Sequence, residues 1–375
     1  MNKYRVNTKI NKKILALGAE SAGNFSVFDN GVIFHSEDFG DMQDEKKFIK
    51  LKKSILLFLK NENIIPDIIV TDIHPHYKTT IWGERMSKKF KAEHLQVQHH
   101  LAHIFSQLEN KPPINYFFGI AMDGTGYGID KKIWGGEVFE VKSEKSEVRI
   151  NRIGHLENQV LIGGELAIRE PARLLISILN NFLNKKDVFD YLKIYYTKNE
   201  FELLYNQLKQ NFNCVETSST GRILDAVSVL LGFSKNERNF KHGPAYLLEE
   251  NSTKPYSLKP QIEKNNDICI LKTTSLFEFL IKNFHRDKKR LAATAQQYIA
   301  SGLYGIVAES INAKPVGNQK IYKSDIFFAG GITDNKIISS YLRSKQATAN
   351  KKIPRGDAGI SFGQINYYLL TNPRD

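Results

Sequence analysis

Cysteine is nearly missing from this chain. Only Cys214 and Cys269 occur, far apart and with no C-x-x-C pair, which excludes a disulfide framework and a cysteine-built zinc site and fits a reducing, cytoplasmic setting. Long apolar runs are absent as well: no stretch reaches signal-peptide or membrane-spanning length, so no membrane association is expected. There is no block of like charge either. The formal net charge is +13, but 53 basic and 40 acidic residues are interspersed, a surface attractive to nucleic acid, an anionic nucleotide or an acidic protein without choosing among them. Neither a P-loop nor a dinucleotide-binding glycine fingerprint is found.

What is present is enough apolar material, 41% of 375 residues, for a folded core. The first thirteen residues, with Lys3, Arg5, Lys9, Lys12 and Lys13, read as a frayed basic extension. From Ile14 a short meander is expected: a strand to Leu17, a Gly/Ser-rich turn from Gly18 to Asn24, and strands at Phe25 to Phe28 and Val32 to His35. Phe48, Leu51, Ile55, Phe58 and Leu59 then recur at helical spacing, and Pro66 opens a strand from Asp67 to Thr71. A helix from about Tyr77, a strand at Leu95 to Val97 and a helix from His99 close the half.

A second round starts at Asn115. Tyr116 to Met122 reads as a buried strand ending in the turn Asp123 to Gly128, followed by strands at Trp134 to Val141 and Glu147 to Ile153. A mainly helical region to Leu231 and a loop-rich stretch to Asn266 precede a strand at Ile268 to Leu271, helices over Leu276 to Phe284 and Arg290 to Ile311, and a strand at Asp325 to Ala329 that runs into Gly330-Gly331. Two copies of the same element order imply duplicated α/β lobes facing one cleft, a glycine turn of each pointing into it. The expected division is a first lobe over 14–112 completed by a C-terminal helix at 358–375, and a second lobe over 113–357 with a helical insertion at 165–265.

Several groups of residues could carry chemistry. His99 and His103 are four apart on a helix, so both imidazoles face one side a turn apart, a spacing suited to a shared divalent metal. A further ligand is needed; Asp123, at the end of a buried strand, and Asp357, in Pro354 to Gly359, are the candidates. The alternative is a pair of polar surface histidines at a helix start. The turns Gly18 to Asn24 and Asp123 to Gly128 could let backbone N–H groups approach phosphate oxygens, and Gly330-Gly331 could offer flat backbone to an adenosine, or these glycines simply make connections. Arg169, Arg173 and Arg222, in the strings Gly163 to Arg173 and Thr217 to Asp225, could clamp a phosphate or merely cap helices.

Taken in order, the strings ILALGAE, VQHHLAHI, AMDGTGYG followed by IWGGE, IGGELAIREPAR, TSSTGRILDAVSVLLG, FAGGITDN and GDAGISFGQ resemble the carboxy-terminal domain of the HypF family, a relative of the tRNA-modifying transferase TsaD, over nearly all of the chain from Ile14. The resemblance implies a two-lobed actin/Hsp70-like (ASKHA) fold of duplicated RNase H-like lobes. It implies a divalent metal, zinc or iron, on His99, His103 and Asp357 with Asp123 close by, and His99, His103 and Asp123 as the catalytic residues. Gly18, Glu20, Asn24, Gly124, Thr125 and Gly126 would surround the phosphates of ATP or carbamoyl-adenylate, while Gly330, Gly331 and Asn335 would border the adenosine. The implied reaction carries a carbamoyl group from the adenylate to the C-terminal cysteine of HypE, with a separate YrdC-like protein supplying the adenylate. Departures from the family pattern, His242-Gly243-Pro244 where a Glu-Gly-Gln-like string is usual and Gln296-Gln297 where Phe-His is common, bear on substrate recognition. The competing expectations are a TsaD-like transferase acting on tRNA, an antibiotic O-carbamoyltransferase, and a non-catalytic nucleotide-binding scaffold.

Overall fold

Short runs of β-branched and aromatic residues separated by glycine turns build two sheets, and the helices between them carry apolar faces that cover those sheets. The computed structural model describes residues 1–108, 116–144, 147–238, 240, 242–313 and 325–372. The expected lobe boundary, the start of the second round at Asn115 and the last three residues lie outside the described residues.

The first half contains β1 (Asn2–Arg5), β2 (Ile14–Ala16), β3 (Ser26–Asp29), β4 (Val32–His35), α1 (Glu45–Asn61), β5 (Ile68–Asp72), α2 (Lys78–Phe90), β6 (Glu93–Val97) and α3 (His99–Phe105). Its sheet runs β1-β4-β3-β2-β5-β6, with β1 to β3 antiparallel to their neighbours and β2, β5 and β6 parallel. β1 differs from the frayed start read in the sequence. The backbone of β4 would otherwise be an open edge, and Asn2 to Arg5 satisfy it, with Tyr4 set edge-on to Phe362 at 5.2 Å.

The second half contains β7 (Tyr116–Tyr127), β8 (Ile133–Glu144), β9 (Glu147–Leu156) and β10 (Gln159–Ile162), then the helices α4 (Glu165–Arg169), α5 (Ala172–Leu179), α6 (Lys185–Leu192) and α7 (Lys198–Lys209). It continues through β11 (Cys214–Thr217), α8 (Thr220–Leu231), α9 (Gly243–Glu250), β12 (Ile262–Asn265), β13 (Ile268–Leu271), α10 (Thr273–Lys282), α11 (Lys288–Ala313), β14 (Ile326–Ala329) and α12 (Lys336–Ser344). β7 pairs antiparallel with β8 and parallel with β14, β8 pairs with β9, and Thr348 bridges Phe327 in parallel beyond β14. The orders β4-β3-β2-β5-β6 and β9-β8-β7-β14-Thr348 are the same path drawn twice, three antiparallel strands followed by parallel ones on the first. This duplication is the two-lobed actin/Hsp70-like (ASKHA) arrangement of RNase H-like lobes. Besides β1, three strands were not visible in the sequence: β10 and β11 pair with each other across the helical segment, and β12 pairs with β13 inside the stretch expected to be loop, and at four residues each they are too short to show a period.

α13 (Ile360–Thr371) crosses back to the first sheet. Its Ile360, Phe362, Ile365 and Tyr368 share one core with Ile14, Ala16, Phe28 and Val70. Gly363 lets α13 lie directly on α3, because a Cβ there would overlap the Ala102 carbonyl and stand 2.8 Å from the Ser106 nitrogen. On its other side α3 meets β7, where Ile104 fills the space left by Gly119 and Phe105 packs edge-on against Phe117. The helix carrying His99 and His103 is thus wedged between the two sheets. Among the described residues no helix is long and apolar enough to cross a membrane.

Candidate functional site

β5 and β6 end side by side, with Asp72 opposite Val97, and the chain turns from β6 straight into α3. Gln98 starts that helix: its side-chain oxygen accepts from the backbone N–H groups of His100 and Leu101, 2.7 and 3.1 Å away. Helical spacing then stacks His99 over His103, ring centroids 4.8 Å apart, while Ala102, Ile104 and Phe105 are buried in the surrounding cores.

Two carboxylates from the second half meet this face. Asp123 lies within β7, which runs on through the turn expected from Asp123 to Gly128; pairing with β8 slips between Met122 and Gly126, a bulge that turns the Asp123 side chain out of the ladder. Asp357 opens the 3₁₀ turn that leads into α13. Asp123 Oδ2 lies 3.3 Å from His99 Nε2 and 3.8 Å from His103 Nε2; Asp357 Oδ1 lies 3.4 Å from His103 Nε2 and 3.8 Å from His99 Nε2. One ligand atom from each of the four residues falls within 4.8 Å of every other. A third carboxylate, Asp72, holds His99 Nδ1 at 2.7 Å, which fixes the proton on that nitrogen and leaves Nε2 facing Asp123 and Asp357. The surrounding contacts are also set: Gly331 N–H donates to Asp123 Oδ1, and the Ser21 hydroxyl donates to Asp357 Oδ2.

The electrostatics are those of a closed charge cluster. Burial opposes charge on His99, but Asp72, Asp123 and Asp357 outweigh it and hold its pKa well above the ordinary imidazole value; burial opposes charge on His103 too, and Asp123 and Asp357 raise its pKa. Burial likewise opposes ionisation of Asp123 and Asp357, yet the two imidazoles hold both carboxyls below their usual range. His100, one residue from His99, is pushed down to about 3 by burial and by His99, so it stays neutral beside Gln98. The Nε2 atoms of His99 and His103 are buried without hydrogen-bond partners, a costly state that a coordinated cation would relieve. Two imidazole nitrogens and two carboxylates are a donor set that suits zinc or iron.

Through Asp123 and Asp357 the cluster borders a cavity of about 960 Å³. Of the residues expected to surround a nucleotide, Gly124, Thr125, Gly331 and Asn335 line it, with Asp123 and Asp357. Gly18, Glu20, Asn24, Gly126 and Gly330 do not. Gly18 N–H donates to Gln364 at 2.9 Å, Glu20 accepts from the Lys78 N–H that begins α2, and the Asn24 amide donates to the Ala22 and Asp357 carbonyls. Gly126 is pressed against the histidines, a Cβ there standing 2.8 Å from His100 Nε2. Asn335 caps α12 and donates to Gln296 at 2.6 Å, and His242 lines the cavity itself, so both sequence departures reach the cavity wall. Arg169 lines the cavity, while Arg173 pairs with Glu170 and Arg222 with Asp225. Sequence reasoning missed Asp72, Tyr77, Ser21 and Arg238. Only Asp72 left a trace, an acid closing an otherwise apolar strand one helix before the histidines.

Family comparison agrees over both halves. Residues 9–110 match the HypF Kae1-like domain, and residues 119–364 match the second subdomain of the carbamoyltransferase Kae1-like domain. The probable carbamoyltransferase HypF of Methanocaldococcus jannaschii is 38% identical over 98% of this chain and 48% of its own length. A carbamoyltransferase HypF homolog of Cupriavidus necator is 24% identical over 94% of this chain and 90% of its own. The crystal structure of T. kodakarensis HypF superposes with a TM-score of 0.85 at 28% identity, over 98% of this chain and 49% of that one. Full-length HypF in its phosphate- and nucleotide-bound form gives 0.83 at 25% identity, over 98% and 57%. The chain therefore spans about half the length of several relatives it matches, and in that span lie the paired histidines, the two facing carboxylates and the cavity above them. On this agreement of motif order, fold and site, the chain belongs to the HypF carbamoyltransferase family, as its Kae1-like domain.

Proposed function

We propose that this protein transfers a carbamoyl group from carbamoyl-adenylate to the C-terminal cysteine thiolate of HypE, a step in making the cyanide ligands of nickel–iron hydrogenase. The observation that carries the proposal is the convergence of His99, His103, Asp123 and Asp357 on one point, four ligand atoms within 4.8 Å, with Asp123 and Asp357 bordering a cavity large enough for a nucleotide. These residues would hold a divalent metal, zinc or iron. Bound there, the metal supplies a Lewis acid for the carbamoyl or phosphate oxygen.

The chain's own residues do the rest. Asp72 keeps the proton of His99 on Nδ1, so Nε2 faces the site. Gly331 N–H steadies the Asp123 carboxylate, and Gly124-Thr125, in the bulge of β7, give the substrate a wall with little side-chain bulk. Because the adenylate is already activated, catalysis reduces to positioning and charge stabilisation. The acceptor's sulfur forms a bond to the carbamoyl carbon, the carbon–oxygen bond to the phosphate breaks, and AMP departs with that electron pair. Neither Cys214 nor Cys269 serves as the nucleophile. The adenylate comes from a YrdC-like active site.

Metal analysis combined with a carbamoyl-adenylate turnover assay tests this. His99→Ala and His103→Ala are each expected to lose bound metal and transfer to HypE together; a His99→Ala protein with full metal content and full turnover rejects the assignment. Transfer of a threonylcarbamoyl group to a tRNA adenosine in place of carbamoyl transfer to HypE would favour the TsaD-type activity. Nucleotide binding with no transfer to either acceptor would favour a scaffold.

A further inference from the structure

Beside the metal-type cluster lies a second group of charges that the proposed mechanism leaves unused. Arg222, on the first turn of α8, is 2% exposed, and its Nε and Nη1 have no hydrogen-bond partner; Nη2 meets Asp225 Oδ2 at 2.9 Å. Asp225 is already engaged, because its other oxygen accepts from the Ala245 N–H in the first turn of α9 at 3.1 Å. Arg238 stands on the cavity wall with its Nε buried and unpartnered, and no carboxylate among the described residues pairs with it. Burial and the neighbouring Arg222 together pull its pKa down to about 10. Arg238, on the cavity wall, thus feels Asp225 and Asp123 without an ion pair to either, while Arg222 lies buried behind it beneath Gly124, and the buried nitrogens of both guanidiniums stay unpartnered, a costly arrangement unless an anion completes it.

The direction in which this charge faces is equally defined. A Cβ built on Gly124 would lie 3.8 Å from Arg222 Nη2 and 3.8 Å from His242 Cε1; one on Gly331 would lie 3.7 Å from that same His242 carbon and 3.4 Å from Asp123 Oδ1. The two glycines therefore form a bare floor between Arg222 and His242 on one side and the Asp123 carboxylate on the other.

We propose that Arg222 and Arg238 form an anion pocket that grips the phosphate of the adenylate, with the Gly124 and Gly331 backbones as its floor. The pocket orients the leaving group and selects a phosphorylated nucleoside over a bare one. The identification of the anion as an adenylate phosphate rests on the carbamoyl-adenylate reading above; the pocket itself rests on the two arginines. Forked guanidiniums suit phosphate oxygens, and a charge-assisted hydrogen bond lost here should cost affinity about ten- to a hundredfold.

Calorimetric titration of the metal-loaded protein with AMP, adenosine and inorganic phosphate separates the two claims. Arg238→Gln is expected to weaken AMP and phosphate binding about ten- to a hundredfold, to leave adenosine affinity within twofold and to keep the metal content of the native protein. Arg238→Lys, which restores a charge without the fork, should recover part of the loss. Because Arg222 is buried, Arg222→Lys serves as its test, with a circular-dichroism melt as the check on folding. Equal AMP and phosphate affinities for native and Arg238→Gln proteins, or no binding of either anion to the native protein, overturn the pocket. Arginine-dependent phosphate binding with no adenosine binding keeps the pocket and overturns the nucleotide reading instead.

Discussion

Replacing Asp72 by Asn removes one negative charge and changes almost no volume, yet it should weaken metal binding about ten- to a hundredfold, the usual cost of losing a carboxylate behind a metal-ligating histidine. The structure gives the reason. Asp72 accepts two protons at once, from His99 Nδ1 at 2.7 Å and from the His74 backbone N–H at 2.9 Å, and the Asp72 and His99 side chains are 1% and 2% exposed. A carboxylate can accept at both oxygens; an amide can accept at only one. If the Asn oxygen takes the His74 N–H, its NH₂ group points at His99 Nδ1. The imidazole must then carry its proton on Nε2, where a lone pair is required. If the amide flips, two donors face each other at His74, and the charge that supports the imidazole is lost in either case. The assay is competition of the native and Asp72→Asn proteins against a chelator of known affinity for zinc or iron, read as bound metal, with a thermal melt of each metal-free protein to confirm folding. A folded Asp72→Asn protein whose metal affinity stays within threefold of native would refute the tautomer argument.

Two further outcomes follow from packing and from linkage. Gly363→Ala places a methyl group against the backbone of α3 at Ala102 and Ser106, so the two helices must separate; a loss of about 2 to 3 kcal/mol in denaturant unfolding is expected, together with weaker metal binding, since α3 carries both histidines. An unchanged unfolding midpoint would show that this close helix approach has no energetic importance. His35 is 4% exposed, bonded to Ser26 at 2.8 Å, and burial pushes its pKa from 6.5 down to about 4. Between those values the unfolded chain binds a proton that the folded one does not, so stability rises with pH across the window and is lost as pH falls from 6.5 to 4, by about 3 kcal/mol for this one group. His35→Gln should flatten that part of the stability–pH curve by a comparable amount; curves of identical slope for the two proteins would contradict the buried neutral imidazole.

Much of the frame was legible because it depends on neighbours in the chain. The four-residue spacing of His99 and His103 places two rings on one side of any helix, and Gln98 before them supplies its cap. The two meanders could be read from apolar runs broken by glycine turns, and their shared order pointed to paired lobes. β1, β10 and β11 could not, since each gains its stability from a partner strand distant in sequence and shows no period of its own.

The site divides along the same line. Asp123 and Asp357 were open alternatives in the sequence, each an acid beside a glycine-rich turn; the structure brings both to the same histidines, and which of them touch a metal is a matter for the proposed measurements. The duplicated element order, the histidine pair and the family motifs were determined by the sequence itself, because periodicity and residue type act over a few positions. The approach of Asp72, Asp123 and Asp357 to the histidines was decided only by tertiary structure. Electrostatic interaction depends on distance through space and on burial, and neither quantity exists until the sheets, α3 and α13 have packed.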